Sequence, residues 1–149
     1  MKSILLFLSF LVLSTSAHAQ ATPETLIATF FKEHATNPGQ ALQNLYDTNP
    51  WSTTLQEGID GIKTELNRYN VDLVGKMHGV ELITTKKVTE SLVLYSYLMK
   101  YDRLPMRITF KFYKPDDTWM LTGFNFDNGL DDELTEAAKL QNLGLKGVN

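Results

Sequence analysis

The hydrophobic period of this chain changes once along its length, and that change limits the folds open to it. From about Thr53 to Tyr69 the apolar residues Leu55, Ile59, Ile62, Leu66 and Tyr69 recur at intervals of four, three, four and three, which puts them on one face of a helix. From Pro105 to Tyr113 the interval is two: Met106, Ile108, Phe110 and Phe112 alternate with Arg107, Thr109 and Lys111, as on a strand with one buried face. Helical patterning fills the first half of the chain and strand patterning the second. A chain that makes helices first and an antiparallel meander second folds as α+β, with three N-terminal helices on a curved antiparallel sheet and a cone-shaped pocket between the layers.

The local signals fit that order. Thr22-Pro23-Glu24 starts a helix, with a capping hydroxyl, proline in the first turn and an acid at the positive end of the dipole. Leu26, Ile27, Phe30 and Phe31 follow, and the helix ends between His34 and Asn37. Asn37-Pro38 starts the next, with Gln40 placed for a capping box. Ala41, Leu42, Leu45 and Tyr46 form its stripe, and Asn49-Pro50 stops it. Gly58 and Gly61, a turn apart in the third helix, read as a close-contact face against the sheet. Asn70 to Val74 reads as a short strand or loop, Val80 to Thr85 and Val88 to Tyr101 as strands, and Trp119 to Phe126 as the last strand. Asp102-Arg103-Leu104 and Pro115-Asp116-Asp117 turn two hairpins. Asp131 to Leu143 reads as a short helix, its start capped and charged by Asp127, Asn128, Asp131, Asp132 and Glu133, before a frayed end from Gly144 to Asn149. The register of the first hairpin is open. A three-residue and a four-residue loop put opposite faces of Val88–Tyr101 beside Phe110, so Tyr95, Tyr97 and Tyr101 face either the helices or an outer polar-aromatic face.

Residues 1–19 have a separate logic. Lys2 precedes an apolar run from Ile4 to Leu13, broken only by Ser9, and Ala17-His18-Ala19 closes the segment. That is the order of a secretory signal peptide cleaved after about Ala19, and the run is far short of the ~20 residues of a spanning helix. The reading is a chain exported to the periplasm or beyond, with 20–149 as one domain. The sequence has no cysteine. Disulfides, a lipid-anchored cysteine, thiol catalysis and zinc–cysteine sites are thereby excluded, and the fold rests on its core alone. With 14 basic against 17 acidic residues and no basic stripe, neither nucleic acid nor a membrane surface is an expected partner.

The stretch LVLYSYLMKYDRLPMRITFKFYKPDDTWMLTGFNFD resembles the hairpin core of the nuclear transport factor two-like superfamily, also called cystatin-like or ketosteroid-isomerase-like. The features that carry the likeness are Tyr97, the Tyr101-Asp102-Arg103 turn with Pro105, the Phe110–Tyr113 aromatics, Trp119 and Asp127. With the helix order it extends over about residues 22 to 139, and the stretch looks like the hairpin core of exported bacterial members without an assigned activity. It implies a cystatin-like cone and, since members often pair through the outer sheet face, a homodimer. A shared fold does not carry an activity.

No catalytic set stands out. Chemistry of the isomerase kind needs a carboxylate base and a donor pair aimed into the cone. The acids at hand are Asp72, Glu81 and Asp102, and the donors Tyr46, Tyr69, Tyr95 and Tyr97, with no acid inside an apolar strand. His78, in Gly75-Lys76-Met77-His78-Gly79, has the chemistry of a base or ligand but no acid or nucleophile in a fixed relation to it. Past the leader only His34 and His78 remain, and the acids around Asp131 do not match a calcium loop, so neither a metal nor any cofactor is expected. The expectation is a binding module for a small apolar ligand or a protein partner, using the cone pocket or the sheet face. Its candidate contacts are Tyr69, His78, Tyr95, Tyr97, Tyr101 and Trp119, since tyrosine joins apolar area to a polar tip. The alternatives are an isomerase or dehydratase in the pocket and a structural or regulatory envelope protein.

Overall fold

Two proline-led helices open the part of the chain described by the computed structural model, residues 21–144. The expected leader, 1–19, and the chain end past Gly144 lie outside the described residues. Helix α1 (Pro23–His34) is capped by Thr22, whose side chain accepts the Thr25 N–H at 3.3 Å. Helix α2 (Pro38–Tyr46) is capped by Asn37, which accepts the Gln40 N–H at 3.0 Å. The return half of the expected capping box is not made. The Asn37 N–H already donates to the Glu33 carbonyl at 2.9 Å as α1 ends, and the Gln40 side chain turns to Asn44 instead.

The third helical segment begins as a 3-10 turn, Ser52–Leu55, and continues as α3 (Gln56–Arg68). Its stripe faces inward only in part. Ile59 and Leu66 are buried and Ile62 half-buried, while Leu55 is 55% exposed. The glycine reading is corrected: a Cβ on Gly58 or on Gly61 would meet nothing within 4 Å, because that side of α3 faces solvent. Glycine there only weakens the helix. Gly58→Ala and Gly61→Ala are each expected to raise the unfolding free energy by about 0.5–1 kcal/mol. Urea titration measures it, and a loss of stability in either variant would show that this face is covered after all.

Asn70 to Val74 is neither strand nor loop. Asn70 accepts the N–H groups of Asp72 and Leu73 at 3.0 and 3.2 Å and starts a one-turn helix, α4 (Val71–Val74). The cap outweighs the weak strand preference of two valines and a leucine.

Four strands then form one antiparallel sheet in chain order: β1 (Met77–Thr89), β2 (Leu92–Tyr101), β3 (Pro105–Tyr113) and β4 (Met120–Asp127). The run expected as one strand from Val88 to Tyr101 is divided, because Glu90-Ser91 turns the chain and Val88 and Thr89 finish β1. Thr89 Oγ1 accepts the Ser91 N–H at 3.1 Å, and the Ser91 carbonyl accepts Lys114 N–H at 2.9 Å, which fixes the turn. There are three hairpins where the sequence reading had two. The open register closes in favour of the four-residue loop: Lys100 pairs with Pro105, Tyr97 with Ile108 and Tyr95 with Phe110. Tyr95, Tyr97, Met99 and Tyr101 therefore share the helix-facing side of the sheet with Met106, Ile108, Phe110 and Phe112. Register shifts at His78, Ile83 and Val88 on β1, and at Thr122 on β4, bend the strands.

The core lies where α1 meets this face. Phe30 of α1 sits 5.2 Å from Phe110 and 5.7 Å from Phe124, and Phe31 sits 5.2 Å from Tyr97. Asn49, at the stop of α2, is buried and donates to the Leu121 carbonyl at 2.9 Å, tying the helices to β4. After β4 a last helix, α5 (Asp131–Asn142), buries no residue. Asp127 does not cap it as expected. Its carboxylate receives the Arg107 guanidinium at 2.9 and 3.1 Å, the Asn125 amide at 2.8 Å and the Gly129 N–H at 2.9 Å, and Arg107 also reaches Glu133. The arginine across the β3–β4 ladder outcompetes a helix end for that carboxylate. Among the described residues no helix is long and apolar enough to cross a membrane.

Candidate functional site

Element ends meet on one side of the fold: the C-terminus of α1, the exit of α3 into α4, and the start of β1 beside the end of β2. Between them opens a cavity of about 410 Å³.

His34 reaches it from α1. Its spacing from Ile27 and Phe30 puts it on the buried face, and it is 6% exposed with its ring 5.5 Å from that of Phe30. Its Nδ1 has no hydrogen-bond partner among the described residues. Burial lowers its pKa to about 4, so the imidazole is neutral at physiological pH. Tyr101, the last residue of β2, pairs with Met77, and burial pushes its phenol up to about 12. Tyr69 caps α3 and packs its ring on Phe126 at 5.4 Å. Asn67 accepts the Gly39 N–H at 3.1 Å, which also joins α3 to α2.

One wall is the segment from Gly75 to Met77. Gly75 has φ 81° and ψ −167°, a region open only to glycine, and a Cβ there would lie 2.5 Å from the Asp102 Cβ. The close approach lets Asp102, in the β2–β3 loop, bind this wall. Its Oδ2 accepts the Lys76 N–H at 2.6 Å and its Oδ1 lies 2.5 Å from His78 Nε2. The His78 bond first, and the Lys76 N–H second, lower the Asp102 pKa. An ionised carboxylate only accepts, so His78 Nε2 carries the hydrogen. The Arg103 guanidinium adds a bond to the Asp72 carbonyl and the Arg103 N–H one to Val74 at 3.1 Å.

The six residues singled out from sequence separate in space. Tyr69 and Tyr101 line the cavity, and His78 stands beside its wall in the bulge between Met77 and Gly79. Tyr95 is buried nearer the other end of the strand, where its hydroxyl donates to Glu24 of α1 and lowers that carboxyl's pKa. Tyr97 packs in the aromatic layer, and Trp119, in the β3–β4 connection, lies 5.3 Å under the Lys114 ammonium. Of the acids weighed as bases, Glu81 pairs with Lys100 at 2.5 Å and Asp72 is exposed in α4. Sequence reasoning missed His34, Asn67 and Asn70 as cavity residues. The one usable signal was the i, i+3, i+7 spacing of Ile27, Phe30 and His34.

Among the described residues no group of three or more His, Asp or Glu side chains is arranged to hold a metal ion. No protein-family model, curated protein or solved structure matches the chain.

Proposed function

We propose that this chain is an exported binding domain of nuclear transport factor two-like build, and that it holds a small, partly apolar molecule in the cavity between His34, Tyr69 and Tyr101. The observation that carries the reading is the cavity itself: an open space of about 410 Å³ with the buried, neutral His34 and the phenols of Tyr69 and Tyr101 among its lining residues, and an apolar wall beside them. An open, largely apolar space with a few placed polar groups is the usual form of a small-molecule site. Export rests on the leader pattern of residues 1–19, and the superfamily on the order of helices before a bent antiparallel sheet.

Binding is favoured over catalysis for a geometric reason. No aspartate or glutamate is among the residues lining the cavity, and Asp102 beside it spends both oxygens on His78 and Lys76. An isomerase mechanism would lack its carboxylate base. The outer sheet face, through which a homodimer would form, mixes Leu94 and Leu98 with Glu81, Lys111 and Arg107, so the cavity is the better-supported site.

The test is a titration of ¹⁵N-labelled protein with octan-1-ol, followed by the amide resonances of residues 70–71 and 75–77. Octanol is expected to shift these at millimolar concentrations. Val71→Trp, at a rim position 65% exposed, is expected to leave the thermal midpoint unchanged and remove the shifts. Shifts scattered over the surface, or unaffected by the tryptophan, would reject the cavity as the site.

A further inference from the structure

We infer that the cavity selects a small amphipathic molecule whose head is a carboxylate. The inference rests on the cavity being the binding site and names what that site prefers.

The polar side chains that line it are His34, Asn67, Tyr69, Asn70, Lys76 and Tyr101. Four of the six, His34, Asn67, Asn70 and Lys76, have mainly hydrogens to offer. Asn67 and Asn70 have already committed their carbonyl oxygens to backbone N–H groups, at 3.1 Å and at 3.0 and 3.2 Å, so their free capacity is the amide hydrogens. Lys76 has no carboxylate within 4 Å of its ammonium among the described residues. Tyr101 is protonated over the whole physiological range, because burial raises its pKa. His34 is neutral with Nδ1 buried and unpartnered, so a ligand meets the ring at Nε2, a donor when it carries the ring hydrogen. Tyr69 and Tyr101, as phenols, can each donate and accept.

A ligand entering such a site must bring acceptors. A carboxylate brings about four lone-pair directions and a charge opposite to that of Lys76. A cationic head would meet Lys76 with no carboxylate in the lining to offset it. Asp102 is not among the lining residues; its carboxylate, hydrogen-bonded to His78 and the Lys76 N–H, attracts the Lys76 ammonium and offsets part of that preference. The remaining wall, with Ala35, Pro38, Val71 and Met77, is apolar and suits a hydrocarbon tail.

Octanoate, octan-1-ol and octylammonium share one tail and differ in the head. Titrated separately into ¹⁵N-labelled protein at pH 7, octanoate is expected to bind about tenfold tighter than octanol, the ratio for one charge-assisted hydrogen bond, and octylammonium weakest. Lys76→Met, at an exposed position, is expected to weaken octanoate more than octanol and so to close the gap between them. Octylammonium binding the cavity as tightly as octanoate overturns the preference for a carboxylate and leaves the cavity as the site. So does octanol equal to octanoate in the unsubstituted protein. If none of the three moves the cavity resonances, the binding reading itself falls.

Discussion

Phe110→Ala is expected to remove about 3–5 kcal/mol of unfolding free energy, the usual cost of deleting a fully buried phenyl ring and leaving a cavity behind. Phe110 is 0% exposed and stands at the meeting point of both layers. Its ring lies 5.2 Å from Phe30 and 5.7 Å from Phe31 on α1, 5.6 Å from Phe124 on β4, and 6.2 Å from Tyr97 on β2. Most of these contacts are edge-on, the arrangement aromatic pairs favour beyond the burial of area. Neighbours on three elements cannot all move into the space left by one ring. A domain of this size has about 5–15 kcal/mol to lose, and without cysteine no cross-link limits the unfolded state. The measurement is urea unfolding at pH 7, with Tyr113→Ala as control, since Tyr113 is on the same strand but 40% exposed. The control is expected to cost less than about 1 kcal/mol. A Phe110→Ala loss as small as the control's would mean the aromatic layer does not hold helices and sheet together.

The aromatic layer was legible in the sequence because its signal is local. Met106 to Phe112 alternate without interruption, and α1 and α2 start at Thr22-Pro23 and Asn37-Pro38, where cap and proline agree within two residues. What was hidden depended on contacts distant in the chain or on balances between weak preferences. The turn at Glu90-Ser91 lies between two runs of strand-forming residues, so Val88 to Tyr101 read as one strand. Gly58 and Gly61 carry no information about which side of α3 is covered, because that is decided by α2 and the sheet. Of the site, Tyr69 and Tyr101 were found by residue type, although the same criterion also picked Tyr95, Tyr97 and Trp119, which serve the core and the hairpin. The His78–Asp102 pair spans 24 positions, and only the antiparallel register of β1 and β2 brings it together. In the sequence His34 stands only where a helix ends, between His34 and Asn37. Its value as a site residue appears only when α3, α4 and β1 enclose it.

That enclosure has a measurable consequence in acid. Folding holds the His34 pKa near 4 against an ordinary 6.5, by burial. Between those values the unfolded chain binds a proton that the folded chain refuses, so stability rises with pH across the window. The contribution is complete above pH 6.5 and is lost as pH falls toward 4, a total of about 3 kcal/mol. The carboxyls of Glu24 and Asp102 also have lowered pKa values, but their stabilisation is lost below their ordinary range, beneath most of this window. A subtraction isolates the histidine. His34→Leu keeps an apolar side chain against Phe30 and gives up no Nδ1 hydrogen bond, so at pH 7 it is expected to be within about 1.5 kcal/mol of the parent. From pH 7 to pH 4 the parent is then expected to lose about 3 kcal/mol more than the variant in urea unfolding, with Glu24 and Asp102 contributing equally to both. Parallel losses in the two proteins would place the His34 ring in water and empty the cavity of the one group that makes it more than a cleft. Octanoate supplies a further check, because a carboxylate seated beside His34 favours the imidazolium. The parent saturated with octanoate is therefore expected to keep part of the stability that the free protein loses between pH 6.5 and 4.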